Sequence, residues 1–156
     1  MNQVPFSLAF FQTVSVAVIA ATGAVIAWLQ MRIAGRKLKL DLFDRRYAVF
    51  CSTRNLLRAA LMKGDVPPEN LEPFSVAIGP TAFLFKAEIE QYHEALRHRV
   101  VQLHADKMAL DHQAPLPQSE INRLTDKHLV DMDWLAKQFD HIIKLYGKYL
   151  NLKSIV

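Results

Sequence analysis

Charge is missing from the start of this chain. Residues 6–31, FSLAFFQTVSVAVIAATGAVIAWLQM, contain no Asp, Glu, Lys, Arg or His, and residues 1–5 contain no Lys or Arg. At 1.5 Å per residue, a helical core of roughly 24 apolar residues extends about 36 Å, enough to cross a bilayer with some tilt. We predict one transmembrane helix, because a cleaved signal peptide has a basic start and an apolar run of only about 7–15 residues.

Cysteine and glycine are also scarce. The single cysteine, Cys51, excludes an intrachain disulfide, and we interpret it as a small apolar residue in a helix seam. The five glycines form no phosphate-binding loop. Of two possible metal motifs, His93-Glu94 lacks a second histidine at the required spacing, and Glu90 with His93 is a single Glu-x-x-His pair. We therefore predict no catalytic residue, cofactor or metal site.

Basic residues appear as soon as the uncharged run ends. Arg32, Arg36, Lys37 and Lys39 are predicted to contact lipid headgroups, and the positive-inside rule then puts the N-terminus outside the cell and the remainder in the cytoplasm. Residues 32–63 contain nine basic and two acidic residues, whereas the rest of the chain has an acidic excess. Anionic lipid accounts for this distribution, so we predict no nucleic-acid partner.

Helical spacing of apolar residues continues to the C-terminal region. The pattern predicts residues 1–31 as an outside tail and span, and residues 32–156 as a cytoplasmic domain. Prolines and glycines divide that domain into helices at about 32–63, 68–78, 81–110 and 119–150. The predicted fold is all-α, with the transmembrane helix continuing into an antiparallel, coiled-coil-like helical bundle.

Two faces of the first helix are predicted to mediate association. Small residues let helices approach closely in lipid, and a seven-residue apolar repeat forms a coiled-coil seam in water. The small residues within the span are Ala17, Ala20, Gly23, Ala24 and Ala27. The predicted cytoplasmic seam consists of Leu40, Phe43, Tyr47, Phe50, Leu57 and Leu61.

One block of sequence resembles a known group of proteins. Residues 37–50, KLKLDLFDRRYAVF, are similar to the segment just inside the span of a family of small, uncharacterised, bacterial inner-membrane proteins. Residues 83–92 and 149–152 resemble later parts of that family. The resemblance implies a bacterial host, one N-terminal span and a helical cytoplasmic domain, and it implies no activity.

These observations predict a single-pass inner-membrane protein that acts as a protein–protein interaction module. Its expected partners are membrane lipid and either further copies of itself or an unidentified protein. The alternative is a membrane-disrupting effector or small channel subunit, in which Gln12, Ser15 and Thr22 would face water inside an assembly. An enzyme is not predicted.

Overall fold

The computed structural model describes the backbone of residues 6–111 and 117–151. Side-chain surroundings are described from residue 14 onward, except at Ala17. The predicted outside tail and the side chain of Gln12 lie outside this description. Within the described ranges the chain is all-α and contains no strand. The all-α part of the fold prediction is confirmed for these residues.

The first helix, α1, is unbroken over 58 residues, Phe6–Lys63. It ends where Gly64 adopts a φ of 62°, a left-handed conformation that glycine reaches without the penalty of a Cβ atom. The chain divides into two compact units between Asp41 and Leu42. Each unit is described by itself below.

The first unit is the N-terminal part of α1, up to Asp41. All of its side chains described from Val14 onward are exposed. The apolar part of this helix is long enough to cross a membrane, a property that N-terminal signal sequences share.

The second unit begins at Leu42 and contains the rest of α1 and four further helices. These are α2 (Pro68–Ile78), α3 (Thr81–Leu84), α4 (Ala87–Asp111) and α5 (Gln118–Gly147). Pro68 occupies the first turn of α2, where its missing N–H group costs nothing.

The helix predicted over residues 81–110 is interrupted. Phe85 has extended backbone angles, φ −135° and ψ 173°, so the single turn α3 ends there and α4 starts two residues later. Phe85 is nevertheless buried. The apolar spacing continues across this interruption because Phe85 and Ile89 both pack in the core, and spacing alone therefore does not reveal the break.

Contacts between α4 and α5 show that these two helices are antiparallel. The Tyr149 hydroxyl, just after α5, donates a hydrogen bond to Glu88 near the start of α4 at 2.8 Å. Lys127, near the start of α5, pairs with Asp106 near the end of α4 at 2.7 Å.

The C-terminal part of α1 runs alongside α4 in the same direction. Thr53 contacts His93, and Asp65, just after α1, pairs with His104 at 2.8 Å. The segment containing α2 and α3 returns in the opposite direction, since the Arg46 side chain donates to the carbonyl oxygen of Leu84.

One hydrophobic core joins all the helices of the second unit, and α1 contributes a face formed largely by small and β-branched residues. The spacing of Val49, Thr53, Leu56 and Ala60 is four, three and four, which is one side of a helix. The apolar core residues are Val49, Leu56, Leu57, Ala60, Val66, Phe74, Leu84, Phe85, Ile89, Leu96, Val100, Leu103, Leu135, Ile142 and Tyr146.

Candidate functional site

The basic residues predicted to contact headgroups all lie on the first unit. Arg32, Arg36, Lys37 and Lys39 are exposed. The guanidinium carbon of Arg32 lies 5.4 Å from the centroid of the Trp28 ring, within the range of a cation–π interaction. Arginine and tryptophan are both common at the boundary between hydrocarbon and headgroups, so this pair marks one end of the apolar run.

The small residues of the span form an open surface within the first unit. Ala20, Gly23, Ala24 and Ala27 are exposed, and the surroundings of Ala17 lie outside the described side chains. A Cβ atom built on Gly23 meets nothing within 4 Å. This face is sterically available for another helix, and its role in association stays a prediction.

The predicted cytoplasmic seam has a graded exposure. Leu40 in the first unit is 51% exposed, whereas Leu57 in the second unit is fully buried. Tyr47 is 49% exposed and stacks on Phe43, with 6.0 Å between the ring centroids. Phe43, Phe50 and Leu61 are partly buried. Exposure along the seam therefore falls from half exposed at Leu40 to fully buried at Leu57, and Leu61 is partly buried.

A cluster of buried polar groups lies at the centre of the second unit. The Thr53 hydroxyl donates to the carbonyl oxygen of Val49 at 3.0 Å, and its oxygen lies 3.1 Å from both His93 Nε2 and the Tyr146 hydroxyl. On the other side of the imidazole, the Thr81 hydroxyl lies 3.3 Å from His93 Nδ1. These contacts join α1, α3, α4 and α5 through four buried side chains.

The environment of His93 favours a neutral imidazole. The residue is 2% exposed, and burial lowers its pKa from 6.5 to about 4. A neutral imidazole supplies one donor and one acceptor, and hydroxyl groups are available to both nitrogens. Burial likewise raises the pKa of the Tyr146 hydroxyl, so the whole cluster is uncharged at neutral pH. We interpret it as a satisfied structural network.

The lowered pKa of His93 predicts a loss of stability in acid. Between pH 6.5 and about 4, His93 is protonated in the unfolded chain but neutral in the folded protein. Because the unfolded state then binds one more proton, the free energy of unfolding falls as the pH drops. The expected loss attributable to this residue is about 3 kcal/mol at most. Denaturant unfolding of the wild type and of His93→Gln should converge as the pH falls from 7 to 4. A constant difference between them would contradict the assignment.

The sequence pattern alone does not predict this cluster. It presents His93 only as a candidate metal ligand, and Thr53 is one residue among the apolar positions of a long helix. The available signal was the combination of His93 with Ile89 and Leu96, spaced four and three, which puts the imidazole on the buried face of α4.

Arg99 forms a second, more exposed link between α4 and α5. Its guanidinium carbon lies 4.5 Å from the centroid of the Trp134 ring, and Nη1 lies 3.3 Å from Asp131 Oδ1. Since Asp131 is buried, removing Arg99 would leave a carboxylate without its countercharge. This geometry indicates a structural pair that sets the register of the two helices.

A third set of contacts lies around Arg46, near the start of the part of α1 that belongs to the second unit. The Arg46 Nε atom donates to the carbonyl oxygen of Leu84 at 2.9 Å, and the guanidinium lies over the rings of Phe85 and Tyr149. The hydrogen bond donated by the Tyr149 hydroxyl lowers the pKa of Glu88, and so does the nearby Lys148.

Within the described ranges, no group of three or more His, Cys, Asp or Glu side chains is arranged to hold a metal ion. In both candidate metal motifs the glutamate and the histidine lie in different environments: Glu90 and Glu94 are exposed, whereas His93 is buried. Cys51 is partly buried and unbridged.

Comparisons with known proteins identify no family for this chain. The chain matches no protein-family model, no curated protein and no solved structure. The resemblance to small bacterial inner-membrane proteins therefore stays a prediction based on residues 37–50.

Proposed function

We propose that this chain is a membrane-anchored helical module that acts by binding protein, either further copies of itself or a separate partner. The observation that carries the proposal is the exposed apolar helix of the first unit. Ten large apolar side chains between Val14 and Ile33 are exposed, and the helix has no charged residue before Arg32.

Lipid is the solvent that best suits this helix. Complete burial of one Val, Leu, Ile, Phe or Met side chain is worth about 1.5–3 kcal/mol, and these ten side chains are 44–75% exposed, so leaving them in water forgoes on the order of 10 kcal/mol. A hydrocarbon environment supplies that burial without any protein contact, and the helix satisfies its own backbone hydrogen bonds. A retained span fits better than a cleaved signal because the uncharged run, residues 6–31, is longer than the apolar run of about 7–15 residues in a signal peptide.

The charge distribution supports one orientation. With Arg32, Arg36, Lys37 and Lys39 next to the apolar run, the N-terminus would be outside and the second unit would be cytoplasmic. Together with the resemblance of residues 37–50, this favours the inner membrane of a bacterium. In that location the second unit would work as a coiled-coil-like domain that is attached to the membrane surface.

Binding is favoured over catalysis by what the second unit exposes and what it buries. Its central polar side chains, Thr53, His93 and Tyr146, form hydrogen bonds with one another. Apolar surface remains exposed at Tyr47, and also at Phe83. Phe83, at 91% exposure, is an aromatic side chain that a protein partner can bury.

The channel alternative gains no support from Thr22. Its hydroxyl donates a hydrogen bond to the carbonyl oxygen of Val18 at 2.8 Å within the same helix. A threonine paired in this way is tolerated in hydrocarbon and needs no water-filled lumen.

The proposal predicts that the full-length protein stays in the membrane pellet after carbonate washing and that proteases added outside spheroplasts leave the second unit intact. Cross-linking in cells, followed by purification in detergent, should recover a dimer, a higher oligomer or a specific partner. Release into the soluble fraction would refute the anchor. A protein that remains monomeric and captures nothing would refute the binding role.

A further inference from the structure

The side of α1 that points away from the core of the second unit has two arginines without a carboxylate partner. Arg54 and Arg58 are exposed, and neither forms an ion pair within the described ranges, whereas the arginines of α4 and α5 each pair with a carboxylate. Residues 45–64 contain five basic residues and no acidic one. Tyr47 and Cys51 lie on the same side of α1, since the spacing is four, three and four. We call Tyr47, Cys51, Arg54 and Arg58 the basic strip.

The outward side of α2 carries the opposite charge. Glu69 and Glu72 are exposed, and no lysine or arginine in the described part of the chain pairs with either. Val76 is 73% exposed and lies on the same side, at intervals of three and four. Phe74, the buried residue of α2, faces the other way. We call Glu69, Glu72 and Val76 the acidic strip.

Each strip holds two like charges one turn apart. Arg54 precedes Arg58 by four residues and Glu69 precedes Glu72 by three, so the two charges of each strip repel each other. No residue of opposite charge stands three or four positions from any of these four side chains. Contact between the two strips would relieve the repulsion in both.

Both strips lie at about the same distance from one end of the second unit. Arg58 is five residues, about 7.5 Å, before the end of α1 at Lys63, and Glu72 is four residues, about 6 Å, after the start of α2 at Pro68. The segment containing α2 returns toward Arg46, opposite to α1. Measured from that end of the unit, each strip therefore presents its two charges first and its less polar residues afterwards.

We propose that the basic strip of one copy binds the acidic strip of a second copy. This inference rests on the proposed function and names the surfaces that meet. Copies of a single-pass protein share one orientation in the membrane, so strips at the same distance from one end of the second unit meet at the same height. Because α2 runs opposite to α1, Arg58 faces Glu69 and Arg54 faces Glu72. Val76 then faces the Tyr47 end of the basic strip.

Membrane attachment makes such a contact effective. Ion pairs at a surface are individually weak, and salt screens them over about 8 Å at physiological ionic strength. Confinement of the copies to one membrane raises their effective concentration, so a few weak contacts can hold them together. The contact should accordingly be reversible and sensitive to salt.

The test measures energy transfer between two full-length copies that carry different fluorescent proteins at the C-terminus, in membrane vesicles with the cytoplasmic side outward. In the variant Arg54→Glu with Arg58→Glu, both strips are acidic, and energy transfer should fall at least about fivefold. Adding Glu69→Arg with Glu72→Arg exchanges the charges of the two strips. This fourfold variant should recover the energy transfer of the wild type, because opposite charges face each other again.

A matched control makes the same change of charge away from both strips. Lys86→Glu with Lys144→Glu also reverses two exposed basic residues, and energy transfer should stay as in the wild type. In the wild type, energy transfer should fall as salt is raised from about 0.05 to about 0.5 M. Equal loss in the control would show that net charge, and not the strips, governs association.

The outcomes separate this inference from the proposed function. Energy transfer that survives reversal of both arginines would overturn the contact between the strips and leave self-association through another surface. Failure of the fourfold variant to recover energy transfer would also overturn it. Capture of a separate partner by a chain that shows no energy transfer would overturn it as well, while still agreeing with a membrane-anchored binding module. Loss of the protein from carbonate-washed membranes would instead refute the anchor.

Discussion

Two aspartates in the apolar helix, Val18→Asp together with Ile26→Asp, are expected to abolish retention of the protein in carbonate-washed membranes. Each aspartate near the centre of a span costs about 2.5–3.5 kcal/mol on insertion scales, so the pair costs roughly 5–7 kcal/mol. Both positions are exposed in the first unit, so the substitutions create no clash within the described structure. The measurement is the protein's distribution between pellet and supernatant after an alkaline carbonate wash.

A matched control makes the same chemical change in the second unit. Val101→Asp with Ile143→Asp also replaces two exposed β-branched residues by aspartate. This variant should stay in the membrane pellet, because neither position belongs to the apolar helix. If both double variants stayed in the pellet, the first unit would not be the anchor. If both were released, the second unit would contribute to membrane attachment.

The second large effect is expected at Tyr146, the largest fully buried side chain. Tyr146→Ala should lower the free energy of unfolding of the second unit by about 3–5 kcal/mol, the range for removal of a large aromatic core residue. The substitution removes ring contacts with Phe50 and Phe85 and the hydroxyl that meets Thr53 and His93. Denaturation in mild detergent can be followed by Trp134 fluorescence in a Trp28→Phe background.

Two further variants separate the contribution of the Tyr146 hydroxyl from that of its ring, and the effect of burial from that of tyrosine itself. Tyr146→Phe keeps the ring, and since Thr53 and His93 still contact each other, its expected cost is only about 1 kcal/mol. Tyr47→Ala removes the same side chain from a half-exposed position and should cost well under half as much as Tyr146→Ala. Equal losses at Tyr146 and Tyr47 would show that the core of the second unit is not organised around Tyr146.

The all-α character was predictable because apolar spacing and helix-breaking residues agree along the chain. The uncharged run of residues 6–31 and the breaks near Gly64, Gly79 and Pro80 each have a local cause in charge or backbone geometry. Phe85 could not be recognised as extended, since a buried aromatic residue fits the spacing of a continuous helix equally well.

The choice of which face of α1 enters the core was less predictable. The sequence pattern selects the largest apolar residues, Phe43, Tyr47 and Phe50, whereas the structure buries Val49 and Thr53. Close packing of several helices favours small and β-branched side chains at their closest approach, and this depends on partners that local spacing does not reveal. Local spacing does not predict the buried cluster for the same reason, since its members are up to 93 residues apart.

The contact between Thr53 and Tyr146 spans those 93 residues, and this separation sets a minimum delay during synthesis. At about 5–20 residues per second, a ribosome needs roughly 5–20 s to make the chain between them. Until then the apolar side of α1 at Leu56 and Leu57 lacks its final neighbours from α5. The nascent protein thus has a seconds-long window in which chaperones or premature aggregation can compete with folding.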